Sequence, residues 1–309
     1  MAASPHAIGI DVGATKVAAG LVDTSGRVRE RIQEPLTSQG GVAAVRQVVR
    51  LAERLALRTA PVGIGVAVPA VVDGLGREVV WAPNIRGWRH VGLADAVEQQ
   101  LRVPVRLEYD GHAAVLGEQW IGAGRGIARM VMLVVGTGIG GGMVLDGRLY
   151  RGADGLAGAA GWLTSGACRV EPRQATLELA AAGPALARRG RAVDGRAESV
   201  FAAEVAGDAE ARQTIDATAD RLGMAVADIV SLLNPDLVVL GGGMCSGVAS
   251  TRLLPRIRQV VRKCSQPFAA RRVRVVCSRL GVDAGLIGAA RAVFVESDVV
   301  DRSPQGEER

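Results

Sequence analysis

Two glycine-tipped hairpins, far apart in the chain, constrain its fold more than any other feature. Residues 7–23, AIGIDVGATKVAAGLVD, read as a β-hairpin whose tip carries Asp11-Val12-Gly13-Ala14-Thr15-Lys16 and whose second strand ends at Asp23. Residues 131–147, VMLVVGTGIGGGMVLDG, repeat the plan with a Gly/Thr tip and a polar turn beginning at Asp146. A tip that only had to turn would be satisfied by Asn-Gly or Asp-Gly. The separation of the two copies is too long for a solenoid. It predicts two similar α/β domains, each opening on such a hairpin.

The segments between agree. Residues 41–57 have helical periodicity, with Val42, Val45, Val49 and Leu55 available for one face. Residues 62–74 and 103–110 read as strands, the second leading into the helical HAAVLGEQWIG. A long helical stretch over 208–233 stops at Asn234-Pro235, followed by the strand DLVVL, the loop GGGMCSG, the strand RVRVVCS and the helix AGLIGAARAVFV. Strands alternating with helices argue an α/β fold.

Composition excludes several classes. The chain has 309 residues, 49% hydrophobic and 22% charged, so it is globular rather than disordered. Its net charge of +6 comes almost wholly from arginine. These arginines are scattered, without an aromatic stacking platform or a basic helix, so nucleic acid is not expected; RRGR at 188–191 and RRVR at 271–274 read as solvated surface. Cys168, Cys245, Cys264 and Cys277 have no C-x-x-C spacing, and no apolar run reaches membrane-spanning length. The expectation is a cytoplasmic protein with reduced thiols. The polar tail after residue 297 is expected to fray.

Gly136, Gly138 and Gly141 formally match G-x-G-x-x-G, which in a dinucleotide fold leads straight into a helix. Here the run GMVLDGRLY reads as a strand, which argues against that fold. Glycine-rich hairpins instead present backbone N–H groups to phosphate. Gly241, Gly242 and Gly243 form a third such loop after an apolar strand, where an adenine or ribose could lie on bare backbone. Any one of these loops could be only a tight turn; three together, with Thr15, Lys16 and Thr137, favour nucleotide binding. Lysine is scarce, Lys16 and Lys263 being the only two, and one sits on the first tip.

The motifs DVGATK, APNIRGW (82–88), GTGIGGG (136–142) and NPDLVVLGGG (234–243), in that order, resemble the ROK proteins, sugar kinases and related repressors of the actin-like ATPase superfamily. The resemblance runs from about Ile8 to Val293. It implies two actin-like (ribonuclease H-like) α/β lobes with ATP and sugar in the cleft between them. The small lobe would be 1–117, joined by a C-terminal helix near 284–297, and the large lobe 118–283. The repressors carry a DNA-binding domain ahead of the first hairpin; here the hairpin starts within ten residues of the first residue, so no DNA-binding role is expected. The resemblance assigns Asp11, Gly13, Thr15 and Lys16 to the first phosphate loop, with Mg²⁺ held through water by Asp11. It assigns Gly136, Thr137, Gly138 and Gly140 to the second loop and Gly241 to Gly243 to the nucleotide. It also implies a homo-oligomer, a homodimer or higher.

Phosphoryl transfer to a sugar hydroxyl needs a base on the attacking oxygen. On the residues alone Asp110 is either that base or a helix N-cap. The resemblance makes it the base, and assigns Asn84 and Glu178 to sugar hydroxyls. His112, in the first turn of the same helix, reads as a surface residue. The segment 157–178 departs from the family pattern of AGEIGH followed by CxCGxxGCxE, whose histidine and cysteines hold a structural zinc. Ala159 replaces the glutamate, Trp162 the histidine, and only Cys168 remains of the cysteines. One thiol cannot make the usual closed tetrahedral site, so no zinc is expected. Tyr109 stands where the family has asparagine. With Ala159 and Trp162 it rewrites the acceptor pocket, which turns the expectation from plain glucose toward amino-hexoses such as kanosamine, aminocyclitols or deoxy-sugars. The alternative of another class is a non-catalytic sugar- or nucleotide-binding protein.

Overall fold

The computed structural model describes residues 4–37, 40–165 and 176–302, with side chains described up to residue 295. The chain forms two compact units: Met1–Ile121 with Arg151–Leu156 and Asp283–Arg309, and Gly122–Tyr150 with Ala157–Val282.

Unit 1 opens with β1 (His6–Val12), β2 (Lys16–Asp23) and β3 (Val28–Pro35), followed by α1 (Gly41–Ala56) and β4 (Ile64–Val68). The short strands β5 (Val71–Val72), β6 (Val79–Trp81) and β7 (Arg89–Val91) form a small sheet of their own. Then come α2 (Leu93–Leu101), β8 (Val105–Tyr109) and α3 (Asp110–Ile121). The main sheet has the order β3-β2-β1-β4-β8, with the first pairs antiparallel and β1-β4-β8 parallel.

Unit 2 contains β9 (Met130–Val135), β10 (Ile139–Leu145), β11 (Arg148–Tyr150), α4 (Leu177–Ala181), α5 (Gly183–Arg189), α6 (Ala197–Val205), α7 (Ala209–Leu233), β12 (Leu237–Gly241), α8 (Gly247–Cys264), α9 (Pro267–Arg272) and β13 (Arg274–Cys277). Its sheet order, β11-β10-β9-β12-β13, is that of unit 1: an antiparallel meander, then two parallel strands. The duplication legible in the two hairpins therefore extends through both sheets.

The chain then returns to unit 1 as α10 (Ala284–Arg302), which packs on α3, β1 and β4. The approach is close enough that a Cβ at Gly9 or Gly65 would meet the backbone carbonyls of Leu286 and Ala289. Glycine there is a packing requirement.

Local signals account for most element ends. Asp208 caps α7 by accepting from Glu210 N–H at 2.8 Å, and Asn234 ends it in the left-handed region with φ 48°. The α1 face differs from the sequence expectation. Ala44, Val48, Leu51 and Leu55 are buried at 3.6-residue spacing, whereas Val42 is exposed. The stripe 44-48-51-55 points four apolar side chains at the sheet, and Val42 lies off it.

Candidate active site

The first hairpin is tighter than its sequence suggests. Asp11 and Val12 belong to β1, Lys16 begins β2, and the tip is only Gly13-Ala14-Thr15. Gly13 N–H donates to the Lys16 carbonyl at 2.8 Å, while Thr15 and Lys16 are exposed. A hydroxyl and an ammonium are thus presented to solvent at one turn.

Asp11 lies within the sheet. It pairs with Ala67 of β4, and Ala67 pairs with Glu108 of β8, so Asp11 and Glu108 share one row across three parallel strands. Two strand spacings separate them, about 10 Å. Asp110 follows two residues later as the first residue of α3. Both aspartates therefore emerge at the carboxyl edge of one parallel sheet segment, where open α/β sheets bind ligands.

Burial pushes the Asp11 carboxyl up to about 6; Lys16 pulls it back down, Asp283 adds to the rise and Arg31 opposes it. Its Oδ2 lies against the backbone of Gly285, where a Cβ would come within 2.5 Å. A desolvated carboxylate of this kind fits a hydrated divalent cation, which would restore the charge balance. The Asp110 carboxylate is half-buried and accepts from the adjacent Gly111 N–H at 2.7 Å.

Around Asp110 the structure shows a cluster that sequence reasoning missed. His112 is fully buried, not a surface residue; its Nδ1 lies 3.2 Å from Glu108 Oε1. The other oxygen of Glu108 accepts from Arg151 NH2 at 2.6 Å. Burial alone would raise the Glu108 carboxyl, but the hydrogen bonds from His112 and Arg151 outweigh it and hold the group below the usual range. An ionised carboxylate can only accept, so Nδ1 of His112 carries the proton. Tyr109 stacks edge-on against His112 with ring centroids 5.1 Å apart. The signal was present in EYDGH, an acid and a histidine four residues apart across a strand-to-helix junction.

Asn84 is exposed in the loop between β6 and β7. That loop is closed by Ala82 N–H donating to the Trp88 carbonyl at 2.9 Å, and the buried Trp88 donates its indole N–H to Gly41 O at 3.1 Å. The tryptophan of APNIRGW is thus the anchor of the motif, and the asparagine is what it presents.

In unit 2 the hairpin tip is Gly136-Thr137-Gly138, with Gly136 N–H donating to Gly138 O at 2.8 Å. Gly140 sits in β10, opposite Val134, rather than in the tip. Thr137 is exposed. Glu178, near the start of α4, is half-buried and accepts the Ile139 N–H through Oε2 at 2.8 Å. A Cβ on Gly138 would meet that oxygen at 2.6 Å, and one on Gly161 would meet it at 3.3 Å. Glu178 therefore braces the glycine hairpin, a role that the sequence did not suggest.

Gly241 ends β12, Gly242 has φ 83° and a Cβ on it would meet the Val135 carbonyl at 2.4 Å, and Gly243 is exposed with open space where a side chain would be. Ala159 is half-buried ahead of a single 3₁₀ turn over Ala160–Trp162, and Trp162 is 60% exposed. Neither alanine nor tryptophan offers a zinc ligand. No group of three or more His, Cys, Asp or Glu among the described residues could hold a metal ion; Cys168 and Pro172 lie outside the described residues. No helix among the described residues is long and apolar enough to cross a membrane.

Residues 7–295 match the ROK family model. A glucokinase of Halalkalibacterium halodurans is 30% identical, over 97% of this chain and 98% of its own length. The crystal structure of a ROK family glucokinase from Streptomyces griseus in complex with glucose and AMPPNP superposes with a TM-score of 0.81 at 29% identity, covering 93% of this chain and 98% of that one. For the ROK hexokinase from Thermus thermophilus the TM-score is 0.78 at 31% identity, covering 95% and 99%. With the glycine hairpins, the paired aspartates and these full-length matches together, the chain belongs to the ROK family.

Proposed function

We propose that the protein is an ATP-dependent sugar kinase that phosphorylates a hydroxyl, the 6-OH, of a hexose or hexose-like sugar, with Asp110 as the base. The observation that carries this reading is the placement of Asp11 and Asp110 at the same edge of β1-β4-β8. One carboxylate serves the cation that accompanies the nucleotide, and the other serves the acceptor hydroxyl. Asp110 accepts the hydroxyl proton, which raises the nucleophilicity of the oxygen as it attacks. Lys16, Thr15 and the glycine N–H groups of both hairpins hold phosphate oxygens and oppose their developing charge. Asp11 would hold Mg²⁺ through water; the ion supplies charge neutralisation on the phosphates when bound.

The acceptor is where this chain differs. Ala159 cannot hydrogen-bond through its side chain, and Trp162 and Tyr109 offer ring surfaces that suit a C–H face or an ammonium. A sugar hydroxyl left buried and unpaired costs about 1–3 kcal/mol. An amino-hexose, aminocyclitol or deoxy-sugar is therefore the preferred acceptor, with glucose secondary. Asn84 and the remaining oxygen of Glu178, Oε1, contact the sugar. The protein carries no zinc and forms a homodimer, points decided by elemental analysis and light scattering.

The test is kcat/KM across glucose, amino-hexoses, aminocyclitols and deoxy-sugars, for the native protein and for Asp110→Asn. Asp110→Asn should lower kcat by about 10²–10⁴-fold on every acceptor. Undiminished turnover in that variant would remove the base; glucose far ahead of every analogue would remove the specificity argument. No turnover on any acceptor, with sugar still bound, would favour the non-catalytic reading.

A further inference from the structure

Residues 237–282 contain eight arginines, one lysine and no acidic residue. The sequence reads RRVR as solvated surface, and Arg271, Arg272 and Arg274 are indeed exposed; it finds no basic helix, and there the structure corrects it. α8 carries Arg252, Arg256, Arg258, Arg262 and Lys263. Its last turns meet α9 and β13 around a groove of about 450 Å³. Arg258, Arg262, Arg271 and Arg274 line it over a floor of valines and Ala270, and no carboxylate does. Neighbouring arginines of the same stretch are neutralised elsewhere: Arg252 pairs with Glu204 at 2.8 Å and Arg256 with Asp220 at 2.6 Å. The groove arginines are thus set apart by having no acid opposite them in the groove.

Two details orient the groove toward an anion. Arg258 donates through Nε to the Val275 carbonyl at 2.8 Å, which fixes its guanidinium and leaves the two terminal NH₂ groups for a ligand. β13 is the edge strand of its sheet. Arg274 N–H donates to Asp236 O and Ser278 N–H to Leu240 O, both toward the sheet. Successive N–H groups alternate in direction along a strand, so the Val275 N–H points to the outer edge, beside Arg258. Arg271 lies over the Phe268 ring, 5.9 Å from its centroid, which restricts the mobility of a third guanidinium.

We propose that this groove binds a small polyphosphorylated anion, at a site separate from the phosphoryl-transfer residues. Four guanidinium groups over an apolar floor reinforce one another's field and are screened less than on a flat surface. A single phosphate could not reach groups contributed by three elements. A chain of phosphates could, with bidentate contacts from arginine. Such phosphates could belong to a free inorganic polyphosphate or to a nucleoside triphosphate.

The test is titration calorimetry on the full chain, first saturated with Mg²⁺ and AMPPNP to fill the nucleotide site. Inorganic tripolyphosphate is the titrant in one arm and excess AMPPNP in the other. Tripolyphosphate should bind one further equivalent, more weakly as salt is raised, and at least tenfold more weakly to R262A/R274A. Sugar phosphorylation in that variant should keep its native kcat. A second AMPPNP equivalent lost in the same variant would identify nucleotide as the source of the phosphates. Absence of any further binding in both arms, or equal binding to native protein and variant, overturns the proposal. Should the double variant not fold, Arg271→Gln is the substitute, with the same readout.

Discussion

Asp11 shows how burial turns one residue into a pH-dependent one. With its carboxyl raised from 3.8 to about 6, the folded protein binds more protons than the unfolded chain between those values. Stability of the ligand-free protein therefore falls as pH rises through that window. Asp11→Asn should abolish this slope and raise the Tm above pH 6, each kcal/mol being worth about 2–4 °C at this domain size. Calorimetry from pH 4 to 8 measures it, and an unchanged slope would show that Asp11 does not titrate there. On the role proposed for Asp11 at the cation, the same variant should also lose kinase turnover. The sequence put Asp110 at a strand-to-helix junction, and the structure has it as the first residue of α3 directly after β8. The ion pair of Glu108 with Arg151 could not be read, because Arg151 lies far from it in the chain and only the fold brings it to the carboxylate.

The second hairpin works as an element because a carboxylate from α4 holds it. Glu178→Ala leaves the Ile139 N–H without its acceptor, at a cost of about 1–3 kcal/mol. Gly138→Ala places a Cβ 2.6 Å from the same Oε2, so the brace must move. Both substitutions should raise KM for ATP. In the double variant the clash is gone together with the carboxylate, so its loss of stability should fall short of the two single losses added. Urea denaturation of the four proteins closes the cycle. Additivity within about 0.3–0.5 kcal/mol would mean the two residues act independently.

At the scale of the whole molecule, the last long helix completes the unit that the first strand begins. α10 packs on β1, β4 and α3 at glycines, and a Cβ on Gly288 would strike the Ala113 carbonyl. Gly288→Ala should cost about 1–3 kcal/mol through overpacking, despite alanine's better helix propensity. Gly74→Ala, at an exposed position with nothing within 4 Å of the new Cβ, is the control and should stay within about 0.5 kcal/mol. Thermal unfolding of both variants compares them. A stable Gly288→Ala protein would mean that α10 can shift on the sheet without loss.

The sequence by itself determined the pair of glycine hairpins, the α/β alternation and the positions of Asp11, Lys16 and Asp110, because these depend on short-range pattern: strand periodicity, turn chemistry and the residue at a strand end. It also put tryptophan at 162, where the resemblance expects a zinc-binding histidine, which is a matter of side-chain identity alone. Only the tertiary structure decided that His112 is buried against Glu108, that Glu178 braces a hairpin, that α1 turns Val42 outward, and that four arginines share one acid-free groove. Each of these depends on burial or on neighbours distant in the chain. The charge of a side chain is written in the sequence, but whether a countercharge stands opposite it is set by packing.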